Sequence, residues 1–328
     1  MSSKTLYPAM RGKRKIGLAL SSGMARGWAH IGALHALVKL GFTFDVVAGC
    51  SIGALVGGCY LAGKLDVLEA WTRSLNKRKI VGYLDMKLKS GGLIGGGKLA
   101  DEMFRQIGKI KIEDLPVPYA AVTTDLVTGH EVWIQSGDLV EAMRASFSLP
   151  GIFPPVRYQD RWLADGALVC PLPVATCRAM GSDMVIAVNL NADIIGKSRR
   201  PGTIIPTAAG FDLIPFLKES GHFDKLSIMD GVAKRVFRRD PDTPSLFGVM
   251  TSSLNIMQDR ITRSRLAGDP PDVHIAPRLG HLGLLEFDLA AETIDEGEAA
   301  VMRKQPELAD ALQVLSQSNR VVGDNEPI

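Results

Sequence analysis

A pentapeptide with two glycines around a serine, Gly49-Cys50-Ser51-Ile52-Gly53, constrains the fold of this chain more than any other stretch. The apolar residues before it (FTFDVV) predict a buried strand, and those after it (ALVGGCYLAG) predict a helix. A serine between such a strand and such a helix occupies a tight turn, where the flanking glycines prevent side-chain collisions. Its hydroxyl then stands clear of the backbone at the positive end of the helix dipole. The pattern predicts a reactive Ser51; the alternative is a packed turn whose serine only caps the helix.

The composition is that of an ordinary globular protein. The chain has 328 residues, of which 46% are hydrophobic and 22% charged, with a net charge of +3. This allows one or two domains and argues against a nucleic-acid partner. With no signal peptide and no apolar run long enough for a bilayer, we expect a cytoplasmic protein, either free or peripheral at a membrane. Four cysteines without metal-ligand spacing predict buried free thiols: Cys50, Cys59, Cys170 and Cys177.

Alternating apolar strands and helices up to Asn189 predict an α/β fold with a mainly parallel sheet. We divide the chain into a basic disordered arm (1–14), a catalytic domain (15–190), a flexible insertion or lid (191–245), and C-terminal helices with a late strand that complete the same fold (246–328). The insertion combines apolar residues with arginines and lysines, which suits contact with a membrane surface. One long helix is expected over Leu289–Leu315.

A loop of small residues, Ser22–Gly27, follows the first predicted strand and precedes a helix. It fails as a dinucleotide fingerprint, because Ser22 and Met24 stand where glycines belong. A second glycine-rich stretch, GGLIGGGK, fails as a phosphate-binding loop, because Leu99 replaces the required serine or threonine. The Ser22–Gly27 loop is therefore interpreted as an oxyanion hole, whose backbone N–H groups would stabilise a tetrahedral intermediate.

Asp165 lies in the otherwise apolar stretch RWLADGALV. A carboxylate in such surroundings is costly unless it is paired or hydrogen-bonded. It is either part of an Asp-Gly turn or a carboxylate brought up to Ser51. Before it, the proline-rich stretch Ser148–Val156 is expected to be an irregular loop that packs or lines an apolar pocket.

Four stretches together resemble the patatin-like phospholipase family, and most of all its small bacterial members related to the esterase domain of neuropathy target esterase. The stretches are SSGMARGWAHIGALHAL, VVAGCSIGALVG, ASFSLPGIFPPV and WLADGALVCPLPV. They follow the family's order and approximate spacing, strongly from Lys15 to Asn189 and more weakly through MTSSLNIMQDRITRSRLAGDPPDVHIAP. The resemblance implies a three-layer α/β/α fold with a mainly parallel central sheet.

The resemblance also implies a carboxylic ester hydrolase of the phospholipase or lysophospholipase kind, without a metal or organic cofactor. Ser51 would attack a lipid acyl ester, and Asp165 would take its proton and later activate water. Trp162, Leu163 and Leu168 would supply the apolar setting that raises the pKa of Asp165. The implied supporting residues are the oxyanion donors Ser22, Gly23 and Met24 with Arg26 and Gly27, the elbow residues Gly49, Cys50, Ile52 and Gly53, the motif residues Gly166 and Ala167, and the pocket residues Pro150, Phe153 and Pro154.

One departure from the family pattern concerns the loop, which is usually written G-G-G-x-R-G. Ser22 and Met24 replace two of its glycines and would crowd the hole or require unfavourable φ values. Two alternatives stay open. One is a conventional α/β-hydrolase whose Ser-Asp-His triad uses His274 or His281, because the chain order Ser…Asp…His fits that fold. The other is a non-enzymatic binding module, which only the altered loop supports. The sequence specifies neither the lipid class nor the oligomeric state.

Overall fold

The computed structural model describes residues 14–83, 97–194 and 246–323. The predicted basic arm, apart from its last residue, lies outside these ranges. Most of the predicted insertion (191–245) and most of the glycine-rich stretch GGLIGGGK also lie outside them.

Eight strands of the described residues form one sheet. They follow the hydrogen-bonded order β5-β6-β3-β2-β1-β7-β8, and β4 pairs with β3 outside this path. Neighbours among β3, β2, β1, β7 and β8 run parallel, whereas β4, β5 and β6 add antiparallel pairs. The predicted α/β class with a mainly parallel sheet is thus confirmed. The strands are β1 (Ile16–Leu20), β2 (Val46–Cys50), β3 (Tyr119–Asp125), β4 (Glu131–Ile134), β5 (Val156–Tyr158), β6 (Arg161–Asp165), β7 (Met184–Val188) and β8 (Val273–Ile275).

Helices cover both faces of this sheet, which makes three layers. They are α1 (Ala29–Lys39), α2 (Ile52–Leu61), α3 (Leu65–Arg73), α4 (Lys77–Tyr83), α5 (Gly97–Ile107), α6 (Leu139–Ser146), α7 (Val174–Ala179), α8 (Leu246–Gly268), α9 (Ala290–Met302) and α10 (Gln305–Gly323). Short 3₁₀ helices occupy Met24–Trp28, Ile112–Asp114 and Gly166–Leu168.

The central strands are buried on both faces, as expected for parallel strands between two helical layers. On one face Leu18, Leu20 and Val47 join the large core that also holds α1, α2, α6 and α9. On the other face Ala19 and Ala48 join a smaller core with α7. Along β1, the large residues therefore face the larger core and the small residues face the smaller core. All four cysteines are buried and free, as predicted.

Two local expectations were wrong. The helix expected over Leu289–Leu315 is two helices, α9 and α10, because Pro306 has no N–H and its ring would collide with the carbonyl four residues earlier. The loop expected over Ser148–Val156 ends in regular structure, since Val156 begins β5. Strand β5 pairs with β6 through a tight turn at Gln159, whose φ is 52°.

The strands β2 and β6 meet end to end along one side of β3. Ala121 of β3 pairs with Gly49 of β2 and, on its other side, with Ile134 of β4. A strand has two sides, and β4 occupies the same side of both Ala121 and Thr123. The other partner of Thr123, Asp165 of β6, therefore lies on the side that β2 occupies. Because β2 runs parallel to β3 and β6 runs antiparallel to it, their last residues face each other. This arrangement brings Ser51, the residue after β2, close to Asp165, the last residue of β6, although they are 114 positions apart in the chain.

Candidate active site

Ser51 occupies the turn between β2 and α2 with φ 56° and ψ −122°. Positive φ is rare for a residue with a side chain and stores about 1–3 kcal/mol of strain. The turn also requires glycine on both sides. A Cβ on Gly49 would lie 2.4 Å from the amide nitrogen of Ala54, and one on Gly53 would lie 2.3 Å from the carbonyl oxygen of Leu20. The pentapeptide therefore has the geometry that the sequence predicted for it.

The hydroxyl of Ser51 donates to the carboxylate of Asp165, with 2.5 Å between Oγ and Oδ2. The other carboxylate oxygen accepts a 2.8 Å hydrogen bond from the N–H of Ala167, in the turn that begins at Gly166. The thiol of Cys50 lies 3.8 Å from this same oxygen. Both Asp165 and Ser51 are 1% exposed. The structure thus brings the two predicted reactive residues into direct contact.

Burial raises the pKa of Asp165 to about 7, although the hydrogen bonds from Ser51, Ala167 and Cys50 act in the opposite direction. The apolar surroundings differ from those expected, because Trp162 points outward and its side chain is 49% exposed. Successive side chains of a strand point to opposite faces, so Leu163, the next residue of β6, is buried as expected. A carboxyl group with such a pKa is a far better proton acceptor near pH 7 than an ordinary aspartate.

Ser146, at the end of α6, holds the backbone of the Ser51 turn. Its Oγ accepts a 2.8 Å hydrogen bond from the N–H of Ser51 and donates a 2.6 Å hydrogen bond to the carbonyl of Val122 in β3. Ser146 is completely buried, so its hydroxyl joins α6, β3 and the strained turn in one chain of hydrogen bonds. No pattern in the sequence predicts a role for Ser146.

The loop after β1 presents two backbone donors. Among the described residues, the N–H groups of Gly23 and Met24 have no hydrogen-bond acceptor. The N–H of Ser22 differs from the expectation, because it donates to the carbonyl of Pro171 at 2.9 Å and is therefore not an available oxyanion donor. Met24 has φ 49°, a value that glycine would adopt without strain. The predicted backbone cost thus applies to Met24, whereas Ser22 does not have positive φ.

A cavity joins this loop to Ser51 and Asp165 and measures about 300 Å³ when the space open to solvent is included. Arg26 also lines it, at 2% exposure, and donates to Asn255 on α8 at 3.3 Å. Burial lowers the pKa of Arg26 to about 10, which leaves it charged at neutral pH. The cavity is lined by Ser22, Gly23, Met24, Arg26, Ser51, Leu149, Asp165, Thr251, Leu254, Asn255, Gln258 and Leu284.

A second, purely apolar cavity begins at Ile52, the residue after Ser51, and measures about 590 Å³ when the space open to solvent is included. Phe153, one of the three predicted pocket residues, lines it together with Phe147, whose ring centroid lies 5.1 Å away. Pro150 and Pro154, the other two, line neither cavity. The remaining lining residues are Trp28, Leu55, Trp71, Leu75, Ile80, Tyr83, Leu285 and Phe287.

Neither histidine of the alternative triad lies at the site. His281 is on the surface, where its Nε2 contacts a carboxylate oxygen of Glu292 at 2.7 Å. His274 lies in β8, and β1 and β7 separate that strand from β2. Among the described residues, no histidine lines the cavity around Ser51. His30 is buried and contacts the carbonyl of Ser21, and burial lowers its pKa to about 4.

Comparisons with known proteins identify the family of this chain. A sequence model of the patatin-like phospholipase family matches residues 18–177. NTE family proteins of Mycobacterium bovis and Mycobacterium tuberculosis are 35% identical to the chain over 322 residues, which covers 87% of this chain and 89% of each relative. The chain therefore belongs to the patatin-like phospholipase family, and its relatives place it among the NTE family proteins.

More distant relatives were also found. Lysophospholipase nte1 of Emericella nidulans is 28% identical over 294 residues, which covers 87% of this chain and only 18% of that protein. The solved structure of VipD from Legionella pneumophila aligns with 89% of this chain and 66% of that chain, with 14% identity and a TM-score of 0.42. Family membership supports a lipid hydrolase. None of the helices in the described ranges is both long and apolar enough to cross a membrane.

Proposed function

We propose that this protein is a serine acyl hydrolase that cleaves the acyl ester bonds of lipids through a Ser51–Asp165 dyad. The observation that carries the proposal is the 2.5 Å hydrogen bond from the hydroxyl of Ser51 to the buried carboxylate of Asp165. A nucleophile in hydrogen-bond contact with a base of suitable pKa is the signature of nucleophilic catalysis.

The reaction follows from this contact. Asp165 Oδ2 takes the hydroxyl proton as Ser51 Oγ attacks the ester carbonyl, and the tetrahedral intermediate then collapses to an acyl-enzyme. Asp165 returns the proton to the leaving alcohol oxygen. It next takes a proton from a water molecule, whose oxygen attacks the acyl-enzyme and releases the fatty acid. Asp165 finally returns that proton to Ser51 Oγ.

The free N–H groups of Gly23 and Met24 are the proposed oxyanion donors, because they belong to the loop that shares a cavity with Ser51. Backbone donors fixed in a site that excludes water stabilise developing negative charge strongly. Two donors are enough for an oxyanion hole, so the occupied N–H of Ser22 does not weaken the proposal.

The apolar cavity beginning at Ile52 is the proposed site of the acyl chain. Its lining has aromatic and aliphatic side chains on all sides, which suits a hydrocarbon chain and not a polar substrate. Peripheral contact with a membrane is a further part of the proposal, because a lipid ester is delivered from a lipid surface. The segment predicted to make that contact lies mostly outside the described residues.

Hydrolysis by three proteins tests the proposal. Wild type, Ser51→Ala and Asp165→Asn are assayed with a p-nitrophenyl ester and a lysophospholipid, and wild type is treated with a fluorophosphonate. We expect activity and covalent labelling of Ser51 in wild type, and loss of at least a thousandfold in kcat for both variants. An inactive wild type whose Ser51 resists the fluorophosphonate would favour the non-enzymatic binding module.

The apolar cavity is tested separately by acyl-chain length. Replacing Leu75 in its wall with tryptophan fills part of the cavity without touching Ser51 or Asp165. We expect kcat/KM to fall for long-chain p-nitrophenyl esters and to stay within about twofold for the acetate, because each buried methylene contributes about 0.8 kcal/mol. An equal effect on both esters would argue against acyl binding in this cavity.

A further inference from the structure

Three polar side chains from distant parts of the chain meet beside the oxyanion loop. They come from Ser22 after β1, Asn191 after β7 and Gln258 on α8, and they are 2%, 3% and 8% exposed. Ser22 Oγ donates to Gln258 Oε1 at 3.1 Å, and Asn191 Nδ2 lies 3.1 Å from Ser22 Oγ and 3.4 Å from Gln258 Oε1. Buried polar clusters of this kind have little freedom, because each lost partner leaves another group unsatisfied.

The cluster also holds the carbonyl oxygen of Ser22. Asn191 Nδ2 donates to it at 3.2 Å, and the hydroxyl of Ser21 donates to it at 2.9 Å. This carbonyl and the N–H of Gly23 belong to the same peptide group, which is planar and trans. Fixing the carbonyl oxygen on one side therefore fixes the direction of the Gly23 N–H on the other.

Helix α8 contacts the loop at a second point. Asn255 accepts the hydrogen bond from Arg26, and it lies three residues before Gln258, so both amides project from the same face of the helix. The loop Ser22–Gly27 is thus held near both of its ends by side chains of one helix.

We infer that Asn191 and Gln258, acting through Ser22, are positioning residues that aim the proposed oxyanion donor of Gly23 at the reaction centre of Ser51. This inference rests on the proposed function. It also gives a role to Ser22, which replaces a glycine of the family pattern: its hydroxyl supplies hydrogen bonds that a glycine lacks. The side chain braces the oxyanion hole and does not crowd it.

Restoring the glycine separates these two roles of Ser22, because they predict opposite results. If the side chain crowded the hole, Ser22→Gly would raise kcat. If it braces the loop, Ser22→Gly lowers kcat. We expect about a tenfold decrease with KM within about twofold, a part of the effect of deleting an oxyanion donor outright.

Gln258→Met removes the acceptor at similar size and is expected to lower kcat to the same extent. The double variant is expected to be no slower than the slower single variant, because both changes remove the same hydrogen bond. Ser253→Ala, at an exposed position of α8, is the matched control and leaves kcat unchanged. Wild-type rates in Ser22→Gly and Gln258→Met, with an inactive Ser51→Ala, would overturn the inference and leave the proposed function intact.

Hydrogen exchange provides a readout that does not depend on turnover. We expect the hydrogen-bonded backbone amides of Ser22 and Ala25 to exchange faster in Gln258→Met than in wild type or Ser253→Ala, at a temperature where all three proteins are folded. Unchanged exchange in Gln258→Met would overturn the inference, whether or not the wild type proves to be an esterase.

Discussion

At the scale of single residues, Asp165 combines two demands that oppose each other. In the proposed mechanism it must be ionised to accept a proton, yet its side chain is almost completely buried, and burial disfavours the ionised form. Hydrogen bonds from Ser51 and Ala167 offset part of that cost. The resulting pKa of about 7 places the group between its two protonation states at neutral pH.

The first prediction concerns the pH dependence of catalysis. Because only ionised Asp165 accepts the proton of Ser51, kcat/KM should rise with pH, follow an apparent pKa of about 7 and level off above it. The measurement is a pH–rate profile on a neutral p-nitrophenyl ester, with buffers matched in ionic strength. A profile that is flat from pH 5 to 8 would contradict the role of Asp165 as base.

The second prediction concerns stability. Since folding raises the pKa of Asp165 from 3.8 to about 7, the folded state loses stability relative to the unfolded chain as pH rises through this window. Asp165→Asn removes that loss and keeps a polar side chain of similar shape. We expect the variant to match the wild type near pH 4 and to exceed it by up to about 4 kcal/mol above pH 7. Urea denaturation at both pH values measures the difference, and an equal gain at pH 4 would refute the explanation.

The third prediction concerns Ser146. Ser146→Ala leaves the N–H of Ser51 and the carbonyl of Val122 without their partner, so the free energy of unfolding should fall by about 1–3 kcal/mol. We also expect kcat to fall about tenfold, because the strained turn loses its support. Ser148→Ala is the control, since the hydroxyl of Ser148 donates to the carbonyl of Arg144 in the preceding helix and not to the turn of Ser51. Equal effects of both substitutions on kcat would contradict a special role for Ser146.

At the scale of elements, the meeting of β2 and β6 explains how Ser51 and Asp165 come into contact without a flexible loop. Both residues of the proposed dyad lie at the ends of strands that pair with β3, so the hydrogen-bond ladder of β3 sets their distance. Gly166 allows this approach, because a Cβ there would lie 2.3 Å from the carbonyl oxygen of Val122. The Asp-Gly-Ala sequence thus has a packing reason as well as a chemical one.

The fourth prediction concerns the contact between α1 and α9, where glycines let two helices touch through their backbones. A Cβ on Gly32 would lie 1.9 Å from the carbonyl oxygen of Ile294, and one on Gly297 would lie 2.0 Å from that of Ala29. Gly32→Ala should separate the helices and lower the free energy of unfolding by about 1–3 kcal/mol. Gly268→Ala, in open space at the end of α8, is the control and should be nearly neutral. Thermal denaturation of wild type, Gly32→Ala and Gly268→Ala measures the change in stability. An unchanged stability of Gly32→Ala would refute this packing.

At the scale of the whole molecule, the C-terminal elements belong to the same fold as the strands that lead to Ser51 and Asp165. Strand β8 pairs with β7, α9 packs on α1, and α8 lines the cavity of Ser51. The family model, in contrast, matches only residues 18–177. The two ends of the described chain therefore depend on each other for burial of apolar surface.

The fifth prediction follows from that dependence. A protein that ends at Ile194 retains Ser51 and Asp165 but exposes the edge of β7 that β8 covers and the face of α1 that α9 covers. We expect it to lack a cooperative unfolding transition and to be inactive, whereas the full chain unfolds cooperatively. Circular dichroism and calorimetry are the measurements. A cooperatively folded fragment would show that residues 246–328 form a separate unit.

The sequence by itself determined the features that depend on local chemistry. Glycines around Ser51, the apolar strands and the Asp-Gly step are local signals, because backbone strain, burial and turn geometry act between near neighbours. The strand–turn–helix at Ser51 and the α/β class could be predicted from them. The break between α9 and α10 could also have been read from Pro306.

Only the tertiary structure decided the features that depend on pairs of residues far apart in the chain. Ser51 contacts Asp165 because β2 and β6 share one side of β3, and no local pattern encodes that register. Gln258 reaches Ser22 across 236 positions, and the occupied N–H of Ser22 depends on Pro171. Trp162 is exposed because the pleat of β6 turns it outward. A hydrogen bond needs its two atoms within about 3 Å, and only the folded backbone sets that distance.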